Sequence, residues 1–203
     1  TLPALTQLIE KRSHASWLNE FKEIDRVEYE KVIQHDLYPQ KPGLTMGEVI
    51  RIINDKTKGD AIAVTDVGQH QMFVSRYFNY KNKRSFVTSG GLGTMGFGLP
   101  AAHGAKIGAP EKQVILFVGD GGFQMTIQEL GTINQTQAAV KIVLLNNKYL
   151  GMVRQWQQLF FDKRYSETYL LNPDFIKVAE GFGIKGKKVI ERPQLDTAIQ
   201  EML

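Results

Sequence analysis

The sequence contains no cysteine among its 203 residues. This absence excludes a disulfide scaffold, a thiolate metal site and a cysteine nucleophile. An apolar run of 18 residues is also lacking and the mean hydropathy is -0.24, so we expect no membrane span and no membrane partner. Because the sequence does not open with a basic segment followed by an apolar one, we predict no secretory signal and expect a cytoplasmic protein.

Charge of one sign is not in large excess, since the formal net charge is +4 at pH 7. Hydrophobic residues make up 42% and charged residues 23%, which is typical of globular chains and argues against disorder. The one dense basic cluster, Lys81–Arg84, is short and has few aromatic neighbours. It is typical of a solvated loop, and we expect no nucleic-acid partner.

Helical spacing of apolar residues predicts a charged helix over residues 3–34, followed by a proline-containing linker at Asp36–Gly43. Thr45 and Glu48 have the spacing of a capping box, which predicts a helix over Val49–Lys56. Strands and helices then alternate. The predicted strands are 61–67, 85–88, 113–118, 141–145 and, less regularly, 188–190. The predicted helices are 71–78, 95–107 (interrupted by Pro100), 126–134, 152–161, 175–182 and 195–202.

The strand candidates Gln113–Val118 and Lys141–Leu145 are continuous apolar runs, which is the pattern of a sheet covered on both faces. Alternating strands and helices favour parallel pairing. We therefore predict an α/β fold, a three-layer parallel sheet with helices on both faces. In such sheets ligands bind beyond the carboxyl ends of the strands, and glycines and small polar residues follow four of the predicted strands.

Two of these strand ends carry oxygen ligands. Asp120, between Gly119 and Gly121, follows one apolar strand, and Asn146 and Asn147 follow the next, with 24 residues between the two motifs. A strand–helix–strand unit of about 30 residues brings both ends to one edge of the sheet. Carboxylate and amide oxygens suit Mg²⁺ or Ca²⁺ better than zinc, so the pair predicts a site for a hard cation.

The glycines after Asp120 predict a bound anion beside the cation. Gly121 and Gly122 let the backbone approach a ligand, and we expect a helix to begin at about Phe123, where its N-terminus would favour a phosphate. A carboxylate about 4 Å from a phosphate is repelled by ~4 kcal/mol at an effective dielectric of about 20. A divalent ion between the carboxylate and the phosphate turns this repulsion into a net attraction. Phosphate, water and a backbone carbonyl would complete the six ligands of the ion. Either half alone equally suits a helix cap or a turn.

The spacing of these motifs resembles the magnesium–diphosphate motif of thiamine-diphosphate enzymes. From about Lys41 to Leu203 the chain is similar to the catalytic subunits of acetolactate synthases, and the fold implied is their diphosphate-binding domain. The first 40 residues look like the tail of the family's middle domain and its connecting helix. The segments that carry the resemblance are DVGQHQM, TSGGLGTMGFGLPAA, GDGGFQMTIQEL, NNKYLGMVRQWQ, RYS and NPDFIKVAEGFGIKG.

The resemblance implies a role for each residue at the diphosphate end. Asp120 and Asn147 would ligate Mg²⁺ with their side chains, and Tyr149 would do so with its backbone carbonyl. The residues that would hold the diphosphate are Gly68, Gln69, His70, Gly121 and Gly122. From the sequence alone, His70 equally suits a polar residue without chemistry.

Roles around the reactive end of the cofactor are implied in the same way. The Gly93 carbonyl would accept a hydrogen bond from the 4'-amino group, and Met95 would lie under the bent cofactor. The residues that would line the thiazolium and substrate pocket are Met125, Met152, Val153 and Trp156. Taken singly, these apolar side chains equally suit the core face of a helix.

The family's reaction would be decarboxylation of pyruvate and transfer of the product to a second 2-keto acid, pyruvate or 2-ketobutyrate, in branched-chain amino acid synthesis. Its activating glutamate belongs to an N-terminal domain with no counterpart in these residues, so we assign no catalytic residue here. We expect the chain alone to be inactive. The family also implies FAD, bound mainly outside this chain, a homodimer or homotetramer, and in some members a regulatory small subunit.

Three alternatives stay open. Gly91–Gly96 fits the G-x-G-x-x-G pattern of nicotinamide dehydrogenases, although no predicted strand ends on an acidic residue about 20 positions later and Pro100 falls in the following helix. A non-catalytic regulatory domain descended from such an enzyme is the second alternative. The third is a different decarboxylase or carboligase that uses the same cofactor, against which Trp156 and its neighbours favour acetolactate synthase.

Overall fold

The computed structural model describes residues 2–10 and 12–203, and the chain divides into two compact units between Gln40 and Lys41. In the described chain, no helix combines the length and the apolar character needed to cross a membrane. The first unit is helical. Its elements are α1 (Leu2–Leu8), α2 (Ala15–Glu28), a π-helical turn (Tyr29–Ile33) and α3 (Gln34–Leu37).

The predicted continuous helix over residues 3–34 is wrong near its start, because the chain leaves helical geometry between α1 and α2. Residues 10–14 include no apolar side chain that would extend the stripe of the flanking helices, so nothing favours continuing the helix there. Lys11, within the predicted helix, lies outside the described residues. The assignment of this unit to the tail of a middle domain stays a prediction.

The second unit contains a parallel sheet with the strand order β2-β1-β3-β4. The register aligns Ala63 with Phe86 on one side and with Ile115 on the other, and Val114 with Val140. The strands are β1 (Ile62–Thr65), β2 (Phe86–Val87), β3 (Val114–Gly119) and β4 (Val140–Leu145). β3 lies between two neighbours, and its residues from Val114 to Val118 are fully buried, as its continuous apolar sequence predicts.

Helices cover both faces of this sheet, and the predicted α/β three-layer fold is confirmed. The helices are α4 (Met46–Thr57), α5 (Gln69–Tyr77), α6 (Gly98–Gly108), α7 (Asp120–Met125), α8 (Glu129–Thr136), α9 (Gly151–Phe160), α10 (Phe175–Gly181) and α11 (Arg192–Met202). Because strand side chains alternate, Ile115 and Phe117 pack with α4, α5 and α11, whereas Leu116 and Val118 pack with α6, α7, α8 and α10.

Local signals explain most helix ends. The Thr45 hydroxyl accepts a hydrogen bond from the backbone N–H of Glu48 at 3.3 Å, which caps α4 as predicted. Helix α6 begins at Gly98 rather than at Met95, and Pro100 lies in its first turn without interrupting it. Proline is tolerated there because the first N–H groups of a helix have no intrahelical acceptor.

Two further predictions need correction. Helix α7 begins at Asp120 and not at Phe123, and it ends at Met125 before α8 starts. The predicted helix over 126–134 includes residues 126–128, where the structure has a short break between α7 and α8 that the spacing of apolar residues does not indicate. Residues 188–190 form no strand in the described chain; Val189 instead packs beside the core formed by α4, α5 and α11.

Candidate functional site

The carboxyl ends of β1, β3 and β4 meet around a small cavity of about 30 Å³. This volume is enough for roughly one water molecule or a single ion. The predicted site residues that line it are Gly68, Gln69, His70, Met95, Asp120, Gly121, Gly122, Asn147 and Tyr149. The topology therefore brings the proposed metal ligands and the proposed diphosphate residues to one place.

Asp120 is the most deeply buried acid of this group, with 1% of its surface exposed. Its Oδ2 accepts hydrogen bonds from the backbone N–H of Lys148 at 2.8 Å and from the side-chain amide of Asn172 at 2.6 Å. Its Oδ1 accepts the N–H of Gly121 at 3.2 Å. The bond to Lys148 joins the end of β3 directly to the loop after β4, so Asp120 and Asn147 are neighbours.

The loop after β4 is held in a fixed conformation. The Asn147 side-chain oxygen accepts a hydrogen bond from the backbone N–H of Tyr149 at 2.9 Å. The Leu150 N–H donates to the carbonyl of Thr168, and the Leu170 N–H donates to the carbonyl of Lys148. These two bonds flank an antiparallel bridge between Tyr149 and Tyr169. In an antiparallel pair flanked by bonds in this way, the two opposed residues make no backbone hydrogen bond to each other, and their carbonyls point away from the opposite segment. The Tyr149 carbonyl is therefore not bonded to the segment that contains Tyr169. Its role as a ligand stays a prediction.

Asn172 is a site residue that the sequence did not reveal. Its side-chain amide donates to Asp120 and, at 3.0 Å, to the side chain of Asn146. Its own oxygen accepts from the Gln124 amide at 3.0 Å. Asn172 lies 52 residues after Asp120 in an irregular segment, where neither periodicity nor strand position marks a residue as part of the site.

Asp66 is a second residue that sequence analysis missed. It follows β1, is 1% exposed, and its carboxylate accepts the backbone N–H groups of Val67, Gly96 and Gly98 at 2.8, 3.1 and 2.7 Å. A β-carbon on Gly122 would collide with this carboxylate. Asp66 thus fixes the turn before α6 against the first turn of α7. The sequence feature that could have identified Asp66 is a single acidic residue at the end of a predicted strand, close to a glycine.

His70 lies in the first turn of α5 and is 4% exposed. Its Nε2 has no hydrogen-bond partner among the described residues. Burial lowers the pKa of His70 to about 4, against the opposing charge and backbone hydrogen bond of Asp66. The imidazole is therefore neutral at physiological pH, and His70 is one of the residues that line the small cavity.

A close approach of α9 to α5 completes the small cavity. The side-chain amide of Gln69 donates to the side-chain oxygen of Gln155 at 3.0 Å. A β-carbon at Gly151 would collide with the Gln69 side chain and would lie 2.9 Å from that of Asn147. A side chain at position 151 would therefore displace the ends of these two polar side chains from the start of α9.

A second, larger cavity of about 710 Å³ adjoins the small one, and both include Val67, Gly68, Met95, Leu150 and Gly151 in their walls. This volume is within the usual range for small-molecule sites. Its remaining lining residues are Gly93, Met152, Val153, Trp156, Gln157, Phe161 and Arg164. Four of these, Gly93, Met152, Val153 and Trp156, are predicted site residues, so the two ends of the predicted cofactor site are continuous.

Met125 is the predicted pocket residue that the structure does not group with the others. It ends α7, is 53% exposed, and lines neither of the two cavities described here. Trp156, by contrast, faces the large cavity and packs edge-on against Phe160 with ring centroids 5.4 Å apart. The predicted role of Met125 in the substrate pocket stays a prediction.

The residues at the small cavity fit a magnesium ion and a diphosphate. The donors that the described chain gives Asp120 are neutral amides, and a buried carboxylate without a cation is costly. No three His, Asp, Glu or Cys side chains gather in the described residues. A divalent ion there would therefore need ligands from a bound group, and diphosphate oxygens are suitable.

The model for the C-terminal TPP binding domain of thiamine pyrophosphate enzymes, whose cofactor is also called thiamine diphosphate, matches residues 66–203. The chain is 55% identical over 156 residues to the acetolactate synthase large subunit of Lactococcus lactis, covering 76% of this chain and 26% of that protein. It is 49% identical over 156 residues to Escherichia coli acetolactate synthase isozyme 2 large subunit, covering 76% and 28%.

Similarity also extends over the first unit. The chain is 39% identical over 207 residues to the large subunit of Escherichia coli acetolactate synthase isozyme 3, covering 100% of this chain and 36% of that protein. The chain thus spans roughly a quarter to a third of the length of the curated relatives it matches. The chain belongs to the thiamine pyrophosphate enzymes, and residues 66–203 form the cofactor-binding domain that lies at their C-terminal end.

Proposed function

We propose that this chain is the cofactor-binding part of an acetolactate synthase catalytic subunit. The full subunit would decarboxylate pyruvate and join the two-carbon product to a second 2-keto acid, pyruvate or 2-ketobutyrate, in branched-chain amino acid synthesis. The observation that carries the proposal is the pairing of Asp120 with the loop after β4, at a cavity continuous with the pocket of Trp156. Relatives at 39–55% identity support the choice of reaction.

Five residues of the small cavity have a binding role in this proposal. Asp120 and Asn147 would hold Mg²⁺ with their oxygens, and the Tyr149 carbonyl would supply a third ligand. Gly121 and Gly122 would hold the diphosphate with their backbone, and a side chain at either position would collide with Leu150 or Asp66. Thiamine diphosphate, when bound, supplies the electron sink for decarboxylation and carbon–carbon bond formation.

The large cavity would hold the reactive end of the cofactor and the keto acids. Its walls are mostly apolar, with Met95, Met152, Val153 and Trp156 among them. Such walls suit the methyl or ethyl group of a small 2-keto acid and keep polar groups few, so that those present set the orientation of the substrate. FAD, the assembly into dimers or tetramers, a regulatory subunit and a cytoplasmic location belong to the same proposal.

The test is acetolactate formation from pyruvate by the full-length subunit that carries this chain, with Mg²⁺ and thiamine diphosphate. We expect turnover that depends on both additions, and no turnover by the 203-residue chain alone. A full-length subunit that binds the cofactor but releases only acetaldehyde would show a decarboxylase instead. Appreciable turnover by the isolated chain would overturn the assignment of the activating group to another domain.

Asp120→Ala tests the metal assignment in the same preparation. Loss of the buried carboxylate should weaken Mg²⁺-dependent cofactor binding by at least about 100-fold, while circular dichroism shows the fold unchanged. Asp25→Ala, which removes an exposed acid of α2, is the matched control and should bind like wild type. Unchanged cofactor affinity in the Asp120 variant would exclude this residue as a ligand.

A further inference from the structure

One charged side chain faces the large cavity. Among its lining residues, all within the described chain, Arg164 alone carries a charge, whereas the others are glycines, apolar residues and Gln157. In a pocket with few polar groups, those present decide which ligand is recognised and in what orientation. The chemistry of Arg164 therefore bears on the substrate rather than on the metal end of the site.

The Arg164 guanidinium is largely available to a ligand. Its Nε donates to the backbone carbonyl of Phe161 at 3.2 Å, which fixes the stem and leaves the terminal N–H groups. The carboxylate of Asp162 is 4.0 Å away, and the two side chains are 75% and 94% exposed. An ion pair of this length and exposure is weak, so it does not neutralise the arginine.

The loop that carries Arg164 is bonded to α9 on both sides of this residue, and before it the Lys163 N–H donates to the backbone carbonyl of Gln157 at 3.2 Å. The side chain of Gln157 donates to the backbone carbonyl of Ser166 at 3.0 Å and accepts its N–H at 3.2 Å. The Arg154 guanidinium lies over the ring of Tyr165, 3.9 Å from its centroid, a cation–π contact. These contacts restrict the motion of the loop, so Arg164 keeps its place at the cavity without cofactor.

The backbone of this loop is also strained. Asp162 and Lys163 have φ angles of 51° and 59°, in the left-handed region that side chains disfavour. Two such residues in succession persist only where the surroundings impose them, and strain of this kind gathers at ligand-binding segments. These two residues lie between the end of α9 and Arg164, which lines the cavity.

We infer that Arg164 binds the carboxylate of the 2-keto acid substrate and so orients its carbonyl group in the large cavity. A guanidinium matches a carboxylate with two parallel N–H···O bonds, and the apolar walls are left for the alkyl group. The inference rests on the proposed function, because it takes a 2-keto acid as the ligand. Arg164 is a substrate-binding residue in this scheme and takes no part in holding Mg²⁺ or the diphosphate.

The test compares wild type, Arg164→Gln and Arg164→Lys in the full-length holoenzyme. Loss of a charge-assisted pair should raise the KM for pyruvate and the Kd for oxamate, an unreactive anion of similar shape, by about 10- to 100-fold. The Lys variant should recover part of this loss. Thiamine diphosphate affinity and melting temperature should stay as in wild type, since Arg164 contacts neither the small cavity nor the core.

Two controls separate charge recognition from a structural effect. Lys163→Gln removes a neighbouring positive charge that does not line the cavity and should leave KM and Kd unchanged. Ethyl oxamate, which lacks the carboxylate charge, should bind wild type and Arg164→Gln equally. Equal oxamate affinity in wild type and Arg164→Gln, no recovery by lysine, or an equal loss in Lys163→Gln would overturn the inference. A holoenzyme that binds oxamate through Arg164 but forms no acetolactate would instead refute the proposed function.

Discussion

His70 should make the stability of this chain depend on pH. Its imidazole is 4% exposed and its Nε2 is without a partner in the described residues. Burial lowers the pKa of His70 from 6.5 to about 4, although the charge of Asp66 and a hydrogen bond to its backbone oppose the shift. The folded chain therefore keeps the imidazole neutral down to about pH 4, whereas the unfolded chain binds a proton below about pH 6.5.

The sign of the effect follows from proton binding. Between pH 6.5 and 4 the unfolded state holds more protons at this residue, so the free energy of unfolding falls as the pH falls through that window. At 1.36 kcal/mol per pH unit, His70 should cost about 2 kcal/mol on going from pH 6.5 to 5, and about 3 kcal/mol by pH 4. Above pH 6.5 it should contribute no pH dependence.

Urea unfolding at pH 7.5 and pH 5.0 measures this difference in wild type and His70→Gln. Other groups titrate alike in both proteins, so the variant should lose about 2 kcal/mol less than wild type over this interval. His35→Gln, at an exposed histidine of α3, serves as the control and should lose as much as wild type. The same loss in wild type and His70→Gln would refute a buried neutral imidazole in the folded chain.

Asn172→Ala removes an amide that donates to Asp120 and should weaken Mg²⁺-dependent cofactor binding by about 10- to 100-fold; calorimetric titration of the full-length subunit checks this, and unchanged affinity would contradict it. Asp66→Ala leaves three backbone N–H groups without their acceptor and should lower the free energy of unfolding by about 3 kcal/mol or more. Urea unfolding measures the change, and a loss below about 1 kcal/mol would contradict a structural role for the Asp66 carboxylate. Arg192→Leu removes the partner of Glu48, which accepts its hydrogen bond at 2.6 Å. Glu48 is 4% exposed but the arginine side chain is 35% exposed, so the loss should be about 1–3 kcal/mol. A double variant with Glu48→Leu should recover part of that loss, and no recovery would contradict the pairing.

The fold could be predicted because the apolar residues of the strands indicate burial. β3 is a continuous apolar run and is fully buried, as in a sheet covered on both faces, whereas β4 lies at the edge of the sheet and is half-buried. The predicted strand at 188–190 is wrong because Val189 alone packs beside the core without joining the sheet, whereas Ile190 is exposed. The break between α1 and α2 and the early start of α7 depend on local backbone choices that periodicity does not resolve.

The candidate site was predictable where a residue followed a strand directly. Asp120 and Asn147 belong to this class, and parallel topology places them together at one edge of the sheet. Asp66 also follows a strand, but two of its three hydrogen bonds go to Gly96 and Gly98, 30 and 32 positions later in the chain. Met125 shows the opposite case: an apolar residue near the motif is not thereby placed in a cavity wall.

By itself, the sequence determined the class of fold, the strand ends that gather at the site and the resemblance to one enzyme family, because apolar runs and short motifs encode burial and ligand chemistry locally. Tertiary structure alone decided which distant side chains complete the site. Asn172 and Arg164 lie in an irregular segment after α9. Asn172 bonds to Asp120, 52 residues earlier, and Arg164 lines a cavity whose walls also include Val67 and Gly93. Such approaches form only after the chain has folded back on itself, so the local sequence does not predict them.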